Sequence, residues 1–315
     1  MAQPKILCVV GPTACGKTKM GILLAQKYNG EVVSVDSMQI YRGMTIGTAA
    51  PTEEEMDGVP HHMVAIADPE ENWSVARFVE EADRCIQDIL SRGKLPVLVG
   101  GTVLYLDAII AGRTFAKGKA GGEIRAGLER RLTEEGIEPL MEQLRTVDPE
   151  SAARLPIGDE KRILRALEVY LETGKTITQH NLETQQMPNK YAPIYIGLAF
   201  ADRADMRALI DLRVDKMVEA GLIGEIEALL RRGLDRSCTA LQAIGYKEFL
   251  AAMDGEATME EAIEEVKLRS RQYAKRQLTW LRRNQAIHWI LWEKERDFSR
   301  ALLLSTDFLT AHALQ

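Results

Sequence analysis

The chain has 315 residues, of which 46% are hydrophobic and 27% are charged, a composition that excludes a disordered chain and a membrane-embedded one. A formal net charge of −6 excludes a protein whose whole surface coats nucleic acid, but it allows a basic groove on an acidic body. The apolar run at residues 6–10 is too short for a signal peptide or a membrane span, and the four cysteines have no CxxC spacing, so we expect a cytoplasmic protein with reduced thiols.

Strands and helices alternate along the first hundred residues. Short β-branched runs bounded by turn residues predict strands at residues 6–10, 31–35, 62–67, 96–99, 194–200 and 287–292. Between the first four of these, helical spacing predicts helices at 17–28 and 75–92. The pattern predicts an α/β fold, in which a parallel sheet is flanked by helices.

A stretch without strand signals interrupts this alternation. It is charged and helical, with predicted helices at 123–135, 137–146 and 159–172, and it begins with a linker, KGKAGG, at 117–122. After the strand at 194–200, further helices are predicted at 204–232, 239–253 and 258–283. We therefore expect a core domain formed by residues 1–114 and 192–315, and an inserted all-helical domain formed by residues 115–191.

The glycine-rich sequence after the first predicted strand fits the P-loop pattern GxxxxGK[ST] and opens a predicted helix, as that motif requires. Backbone N–H groups, a lysine and a metal-binding hydroxyl would hold phosphate oxygens there. ATP and a prenyl diphosphate both fit such a site. The sequence motif that gives GTPases their specificity is absent. The alternative is a glycine-rich strand–helix turn that binds no ligand. The candidate residues are Gly11, Pro12, Thr13, Ala14, Cys15, Gly16, Lys17 and Thr18.

Two further strand ends reach the same edge of the predicted sheet. Asp36 follows the second strand, where a carboxylate can accept a proton or a hydrogen bond. The alternative is an aspartate that caps a turn. Gly100, Gly101 and Thr102 follow the fourth strand, although this sequence is also typical of a tight turn.

Two basic segments are candidates for contact with nucleic acid. Residues 266–283 carry seven Lys or Arg residues and no acid, and helical spacing places Arg269, Arg276 and Arg283 on one side, with Leu278 and Leu281 toward the core. Residues 160–170 carry a second, smaller group. In both cases a solvated helix face is the alternative.

Other conspicuous residues are not assigned to a site. The adjacent His61 and His62 point to opposite sides of a strand, which argues against a metal centre. Trp280 and Trp289 stand in apolar surroundings that predict core positions. Cys15 lies in the phosphate loop and predicts sensitivity to oxidation.

Several ordered motifs resemble the tRNA dimethylallyltransferases, the isopentenyl-tRNA transferases of bacteria and organelles. They include GPTACGKT at 11–18, VDSMQIYRGMTIGTA at 35–49, LVGGTVLY at 98–105, EKRILRALEVYLETGKT at 160–176, RVDKMVEAGLIGEIEALL at 213–230, AIGYKE at 243–248 and YAKRQLTWLRR at 273–283. The likeness extends over nearly the whole chain.

This resemblance implies transfer of a dimethylallyl group from its diphosphate to the exocyclic amine of the adenosine 3′ to the tRNA anticodon. It implies that residues 11–18 and Mg²⁺ hold the diphosphate, with Thr18 as metal ligand, that Asp36 is the general base and that Arg213 binds the diphosphate. The tRNA contacts that it implies are Asp36, Ser37, Met38, Gln39, Thr102, Lys161, Arg162, Ile163, Leu164 and Arg165.

Three other functions remain open at this point. One is transfer to free adenine nucleotides, which the long helical insertion and the basic C-terminal helix disfavour. A second is a P-loop small-molecule kinase that uses ATP, and a third is a non-catalytic RNA-binding module. We expect a monomer with no membrane partner.

Overall fold

The computed structural model describes residues 3–113, 122–185 and 188–312. The chain divides into two compact units, a sheet unit formed by Met1–Ile110 with Lys190–Gln315, and a helical unit formed by Ala111–Asn189. Most of the linker predicted at 117–122 lies outside the described residues. Within those residues, no helix has the length and apolar character needed to cross a membrane.

The sheet unit contains one parallel six-stranded sheet, in agreement with the predicted fold class. Its strands are β1 (Lys5–Val10), β2 (Gly30–Val35), β3 (His61–His62), β4 (Leu95–Gly100), β5 (Ala192–Phe200) and β6 (Ile287–Trp292), in the spatial order β3-β2-β4-β1-β5-β6. Residues of β1 and β2 are buried almost throughout, because helices cover both faces of a parallel sheet.

Fourteen helices occur in the described residues. They are α1 (Lys17–Lys27), α2 (Glu53–Met56), α3 (Val75–Ser91), α4 (Val103–Ala111), α5 (Glu123–Glu135), α6 (Ile137–Val147), α7 (Pro149–Arg154), α8 (Glu160–Thr173), α9 (Ile177–Gln185), α10 (Arg203–Glu219), α11 (Leu222–Arg231), α12 (Lys247–Met253), α13 (Met259–Leu281) and α14 (Phe298–Ala311).

Three predicted elements are interrupted by residues with positive φ. The helix predicted at 204–232 is two helices, α10 and α11, because Gly221 adopts φ +98° between them. The helix predicted at 239–253 is a short 3₁₀ turn followed by α12, with Gly245 at φ +94°. The strand predicted at 62–67 ends at His62, because Met63 and Ala65 both have positive φ.

The register of the strands brings three loops together. Val10 of β1 pairs with Gly100 of β4 and with Gly197 of β5, and Val35 of β2 also pairs with Gly100. The carboxyl ends of β1, β2 and β4 therefore lie side by side. The loops that carry the phosphate motif, Asp36 and the Gly-Gly-Thr sequence start at this one edge, where open α/β sheets bind ligands.

The helical unit has its own core, formed by α5 to α8. The largest contributions come from buried leucines and isoleucines: Leu128, Leu140, Leu144, Ile163, Leu164 and Leu167. Asp148 is buried and caps α7, since its carboxylate accepts a hydrogen bond from the Ser151 N–H and two more from Thr178. This one carboxylate ties α7 to the start of α9.

A buried ionic cluster stabilises the opposite edge of the sheet. Glu31 of β2 is 2% exposed, and its carboxylate accepts hydrogen bonds from Arg92, Lys94 and His62. The Arg92 guanidinium, together with Lys94 and His62, holds the pKa of Glu31 well below its ordinary value of 4.5. The cluster lies at the amino end of β2, away from the loops at the carboxyl edge, and we therefore assign it to stability.

We expect Glu31→Gln to lower the free energy of unfolding by about 2 kcal/mol at pH 7, because three donors lose a charged acceptor. The folded pKa is the lower one, so the contribution is complete above pH 4.5 and is lost as the pH falls below that value. Urea titrations followed by tryptophan fluorescence measure this, since Trp73, Trp280, Trp289 and Trp292 all lie in the sheet unit. The exposed Glu80 supplies the control variant, Glu80→Gln, with little expected effect. If the free energies of unfolding of Glu31→Gln and wild type differed by the same amount at pH 3.5 and at pH 7, this explanation of the cluster would be contradicted.

Candidate donor and acceptor site

The phosphate loop connects β1 to α1 with a backbone that only glycine permits at two positions. Gly11 has φ +154°, and a side-chain carbon at that residue would lie 2.3 Å from the carbonyl oxygen of Leu198. Gly16 has φ +90°, and a carbon there would lie 2.8 Å from the Phe298 ring. The loop is thus packed between β5 and α14, with α1 beginning directly after it.

Lys17 and Thr18 begin α1 and line the cavity above the loop. The Lys17 ammonium donates a hydrogen bond to the Pro12 carbonyl at 2.7 Å. Burial lowers the pKa of Lys17 from 10.5, and the charge of Arg213 acts in the same direction, whereas Asp36 opposes it. A cation held in this way, without an ion pair to a carboxylate in the described part of the chain, is suited to an anionic ligand.

The side chain of Cys15 faces the core rather than the cavity. It is 0% exposed, and burial raises the pKa of its thiol above the ordinary value of 9.0. Because the thiolate is the form that reacts with oxidants, both observations argue against the sensitivity to oxidation predicted from the sequence. Cys15 contributes its backbone to the loop.

Asp36 stands at the end of β2 in a tight turn. Its Oδ1 accepts a hydrogen bond from the Met38 N–H at 2.9 Å and a longer one from the Gln39 N–H at 3.4 Å. The capping role considered for this residue is therefore present. Asp36 also lines the cavity that Lys17 lines, and its charge acts on both Lys17 and Arg213.

The residues after Asp36 have distinct positions. Ser37 and Met38 line a second cavity, described below. Gln39 is a structural link, since its amide donates to the Thr48 and Ala49 carbonyls and its oxygen accepts from Ser34. It holds the loop that follows β2 against the end of that strand.

Arg213 of α10 reaches the same cavity from another part of the sheet unit. Burial lowers the pKa of its guanidinium, and Asp36 acts in the opposite direction. Arg213 makes no ion pair within the described ranges, so its charge, like that of Lys17, is available to a ligand.

Gln277 of α13 was not predicted as a site residue. Its side-chain oxygen accepts a hydrogen bond from the Thr13 N–H at 2.9 Å, and its nitrogen donates to the Gly101 carbonyl at 3.0 Å. It is buried and joins the phosphate loop to the turn after β4. The sequence feature that could have indicated its role is a polar glutamine on the face of α13 that also carries the buried Leu278 and Leu281.

Thr102 lies beside Tyr273, which, like Gln277, belongs to α13. Its hydroxyl oxygen is buried, and it lines neither cavity that contains Asp36. Tyr273 lines both of them, and burial raises the pKa of its hydroxyl, with a further contribution from Asp36. The aromatic ring, rather than the predicted threonine, forms the wall of the site.

Three cavities at this edge of the sheet unit share lining residues. The phosphate cavity is lined by Thr13, Lys17, Thr18, Ser34, Asp36, Gly101 and Arg213. The α13 cavity is lined by Asp36, Ser37, Met38, Arg213, Ile244, Ser270, Tyr273 and Arg276. The outer cavity is lined by Gly16, Lys17, Thr18, Pro51, Leu209, Leu212, Arg213, Arg296 and Phe298. Asp36 belongs to the first two, and Arg213 belongs to all three.

The basic helix α13 divides into two halves. Lys267, Arg269 and Arg271 are paired with acids, namely with Asp215, Glu265 and Asp211. The cations of the second half, Lys275 and Arg276, make no ion pair with the described residues, and neither do Arg282 and Arg283, which directly follow the helix. Leu278 and Leu281 are buried, as predicted. Only the second half thus offers free positive charge.

Trp280 is on the exposed face of α13, so its prediction as a core residue is wrong. The side chain is 45% exposed, its indole N–H donates to Asp107, and the Arg283 guanidinium lies 5.5 Å from its ring centroid. Helical spacing places Arg276 and Trp280 on one side of α13, and Arg283 lies against the Trp280 ring just after the helix ends. Trp289, in contrast, is packed against the core.

The candidate tRNA-binding residues of α8 belong to the helical unit and differ in exposure. Ile163 and Leu164 are buried in its core, so their side chains stabilise the unit and do not face a ligand. Arg162 is paired with Asp159, and Arg165 is paired with the buried Glu168. Lys161 is exposed and makes no ion pair with the described residues.

His61 and His62 have structural contacts. His62 belongs to the Glu31 cluster, and the His61 ring nitrogen is bonded to the Val59 carbonyl.

The glycine-rich loop, Lys17 and Thr18 at the carboxyl edge of a parallel sheet define a P-loop protein. Residues 39–284 match the family model described as IPP transferase, and residues 4–67 match the model described as isopentenyl transferase. Since the first match covers most of the chain, the chain belongs to the IPP transferase family, and it is a prenyltransferase.

Similar proteins cover nearly the whole chain. The tRNA dimethylallyltransferase of Halalkalibacterium halodurans is 47% identical over 287 residues, 91% of each chain, and that of Geobacillus thermodenitrificans is 48% identical over 285 residues, 90% of each chain. The crystal structure of the tRNA isopentenylpyrophosphate transferase from Bacillus halodurans has a TM-score of 0.73 at 42% identity and covers 98% of this chain and 96% of that one. A eukaryotic dimethylallyltransferase acting on tRNA has a TM-score of 0.83 at 30% identity, over 98% of this chain and 80% of its own.

Proposed function

We propose that this protein, as a monomer, transfers a dimethylallyl group from dimethylallyl diphosphate to the exocyclic amine of the adenosine 3′ to the anticodon in tRNA, and releases diphosphate. The observation that carries the proposal is the position of Asp36, which lines both the phosphate cavity and the α13 cavity. A donor held by the phosphate loop and a base that enters from the α13 side would meet at this residue.

The acceptor amine needs help from a base. Its lone pair is delocalised into the adenine ring, so a carboxylate that orients the amine and removes its proton increases the rate by about 10² to 10⁴-fold. Asp36 lines both cavities, and it is the only acid among the residues given above for either of them.

The leaving group needs positive charge. As the bond between the allylic carbon and the diphosphate breaks, negative charge grows on the diphosphate oxygens and positive charge on the carbon. Lys17 and Arg213 supply two cations in the phosphate cavity, and the loop N–H groups add hydrogen-bond donors. Both cations lack carboxylate partners in the described ranges, which supports their use in stabilising this charge.

Mg²⁺ fits the donor set of the phosphate cavity. No group of three or more His, Cys, Asp or Glu residues among the described positions could hold a metal ion by itself. Mg²⁺ typically binds to one or two protein oxygens and completes its shell with phosphate oxygens and water. The Thr18 hydroxyl would hold it here, and the bound ion would neutralise charge on the diphosphate.

The accepting adenosine has to leave its stack to reach Asp36. Extrusion costs a few kcal/mol and is cheapest in a single-stranded loop such as an anticodon loop. The α13 cavity offers the Tyr273 ring as a wall for an extruded base and Arg276 at its rim. Lys275, Arg282 and Arg283 carry free positive charge beyond the residues that line this cavity, which favours a macromolecular acceptor over a free nucleotide.

We expect Arg282→Gln to weaken tRNA binding and to lower the slope of log K against log salt concentration by about one, because one phosphate contact is lost. The matched control is Arg269→Gln in the first half of α13, because the Arg269 guanidinium is already paired with Glu265 and Glu248. Filter binding at several salt concentrations measures both. Equal salt slopes for Arg282→Gln and wild type would exclude this half of α13 from the tRNA surface.

A transfer assay tests the proposed function directly. The protein is incubated with Mg²⁺, labelled dimethylallyl diphosphate and unmodified tRNA, and label is followed into RNA, with AMP as an alternative acceptor. Digestion of the product locates the modified nucleoside. No label in tRNA, together with phosphoryl transfer from ATP to a small molecule, would overturn the proposal in favour of a kinase. Light scattering of the free protein tests the monomer.

A further inference from the structure

The segment that follows the last strand packs directly on the phosphate loop. The Trp292 indole N–H donates to the Cys15 carbonyl at 2.8 Å, in a buried position. The Phe298 ring fills the space next to Gly16, and the Trp292 and Phe298 rings are in edge-to-face contact, with centroids 5.4 Å apart. Residues 292–298 therefore form one wall of the loop, although they are 276 or more positions away from Gly16 in the sequence.

The Trp292 hydrogen bond fixes the direction of one loop amide. In a trans peptide, the carbonyl of one residue and the N–H of the next point in opposite directions. Because the Cys15 carbonyl points to Trp292 in the core, the Gly16 N–H points away from the core. This is the orientation that an anion-binding loop requires.

Arg296 adds a cation to the same wall. Its Cδ lies 3.5 Å from the position that a side-chain carbon on Gly16 would occupy, and its guanidinium is 6.0 Å from the Phe298 ring centroid. The residue lines the outer cavity together with Lys17, Thr18 and Arg213. Its charge also contributes to lowering the pKa of Arg213, after the larger effect of burial.

The acids near Arg296 in the sequence, Glu293, Glu295 and Asp297, form no ion pair with it in the described part of the chain. Asp297 caps α14 by accepting a hydrogen bond from the Arg300 N–H, and Glu293 lies 4.0 Å from the Arg300 guanidinium. Arg296 itself makes no ion pair with the described residues. The aliphatic part of the Arg296 side chain thus packs on Gly16 and Phe298, and its guanidinium, which has no ion-pair partner in the described residues, lies at the opening of the phosphate site.

We propose that Arg296 is a further diphosphate-binding residue, which contacts the terminal phosphate of an allylic diphosphate held by the phosphate loop. This inference rests on the proposed function, because it takes the ligand of the loop to be a prenyl diphosphate. Arg296 lines the outer cavity, which Asp36 does not line, and it lines neither of the two cavities that Asp36 lines, so its contribution concerns the donor alone.

Calorimetric titration with inorganic pyrophosphate and Mg²⁺ tests the proposal. We expect Arg296→Gln to raise the dissociation constant by about tenfold, as for loss of a charge-assisted hydrogen bond. Arg300→Gln, four residues later on the exposed face of α14, is the matched control and is expected to bind like wild type. If wild type binds pyrophosphate and Arg296→Gln binds it equally well, this inference fails while the donor site stands. If wild type does not bind pyrophosphate, the donor site of the proposed function fails, and the inference fails with it.

Steady-state kinetics separate a binding role from a structural one. We expect Arg296→Gln to raise KM for dimethylallyl diphosphate, with KM for tRNA unchanged, and Arg296→Lys to restore part of the loss. The difference between Arg296→Gln and wild type is expected to shrink at high salt, because an exposed charge is screened. A rise in KM for tRNA with the donor KM unchanged would assign Arg296 to the other substrate and overturn the proposal.

Discussion

Asp36→Asn is expected to lower turnover by about 10² to 10⁴-fold while leaving the binding of both substrates nearly unchanged, because a general base is lost and a hydrogen-bond acceptor is kept. The turn depends on Oδ1, which accepts from the Met38 and Gln39 N–H groups. An asparagine side-chain oxygen can accept the same bonds. The amide cannot take a proton from the acceptor amine.

Single-turnover transfer, together with separate binding titrations for pyrophosphate and tRNA, measures this effect. Asp88→Asn, on the exposed surface of α3, serves as a control for the loss of one carboxylate and is expected to be fully active. Thermal melts confirm that both variants are folded. Full turnover by Asp36→Asn would remove the carboxylate from the mechanism.

Arg213→Ala is expected to lower kcat/KM for the donor by about 10² to 10³-fold, as for the loss of one preorganised donor to a developing negative charge. The same variant is expected to be no less stable than wild type. Burial lowers the pKa of this guanidinium, and no ion pair within the described residues compensates it, so folding gains nothing from its charge. Loss of activity without loss of stability would mark a residue maintained for ligand binding.

Two further variants sharpen this test. Arg213→Lys keeps the charge but loses the planar fork, and it is expected to recover only part of the activity. Arg207→Ala removes an exposed arginine from the same helix, α10, and is expected to behave like wild type. Donor kinetics of Arg213→Ala that match those of wild type would contradict the assignment.

The sheet and the residues at its carboxyl edge could be predicted from the sequence because they depend on the order of neighbouring elements along the chain. A buried strand followed by a glycine-rich turn and a helix specifies where Lys17 lies, and a strand that ends in Asp36 places that carboxylate at the same edge. The parallel register, with Val10 and Val35 both paired with Gly100, then brings the two together.

The residues that complete the site could not be predicted in this way. Gln277 and Arg296 reach the phosphate loop only because α13 and the segment after β6 pack against it, and no spacing in the sequence reports that contact. Trp280 was misassigned because apolar neighbours on a helix do not reveal which side faces the core.

Two missed helices have a similar explanation. Helix α4 follows Gly101 and Thr102 and is apolar on nearly every side, so helical periodicity is hidden. Helix α14 begins at Phe298 after an Asp297 cap, and its apolar residues also lack a clear period.

The packing of Cys15 has a practical consequence. Its thiol is enclosed in the core, whereas Cys238 is partly exposed on the sheet unit. Cys85 is partly exposed as well. Maleimide dyes should therefore attach at Cys85 and Cys238 and spare the loop, so that replacing Cys85 alone would leave a single labelling site that does not disturb the phosphate site.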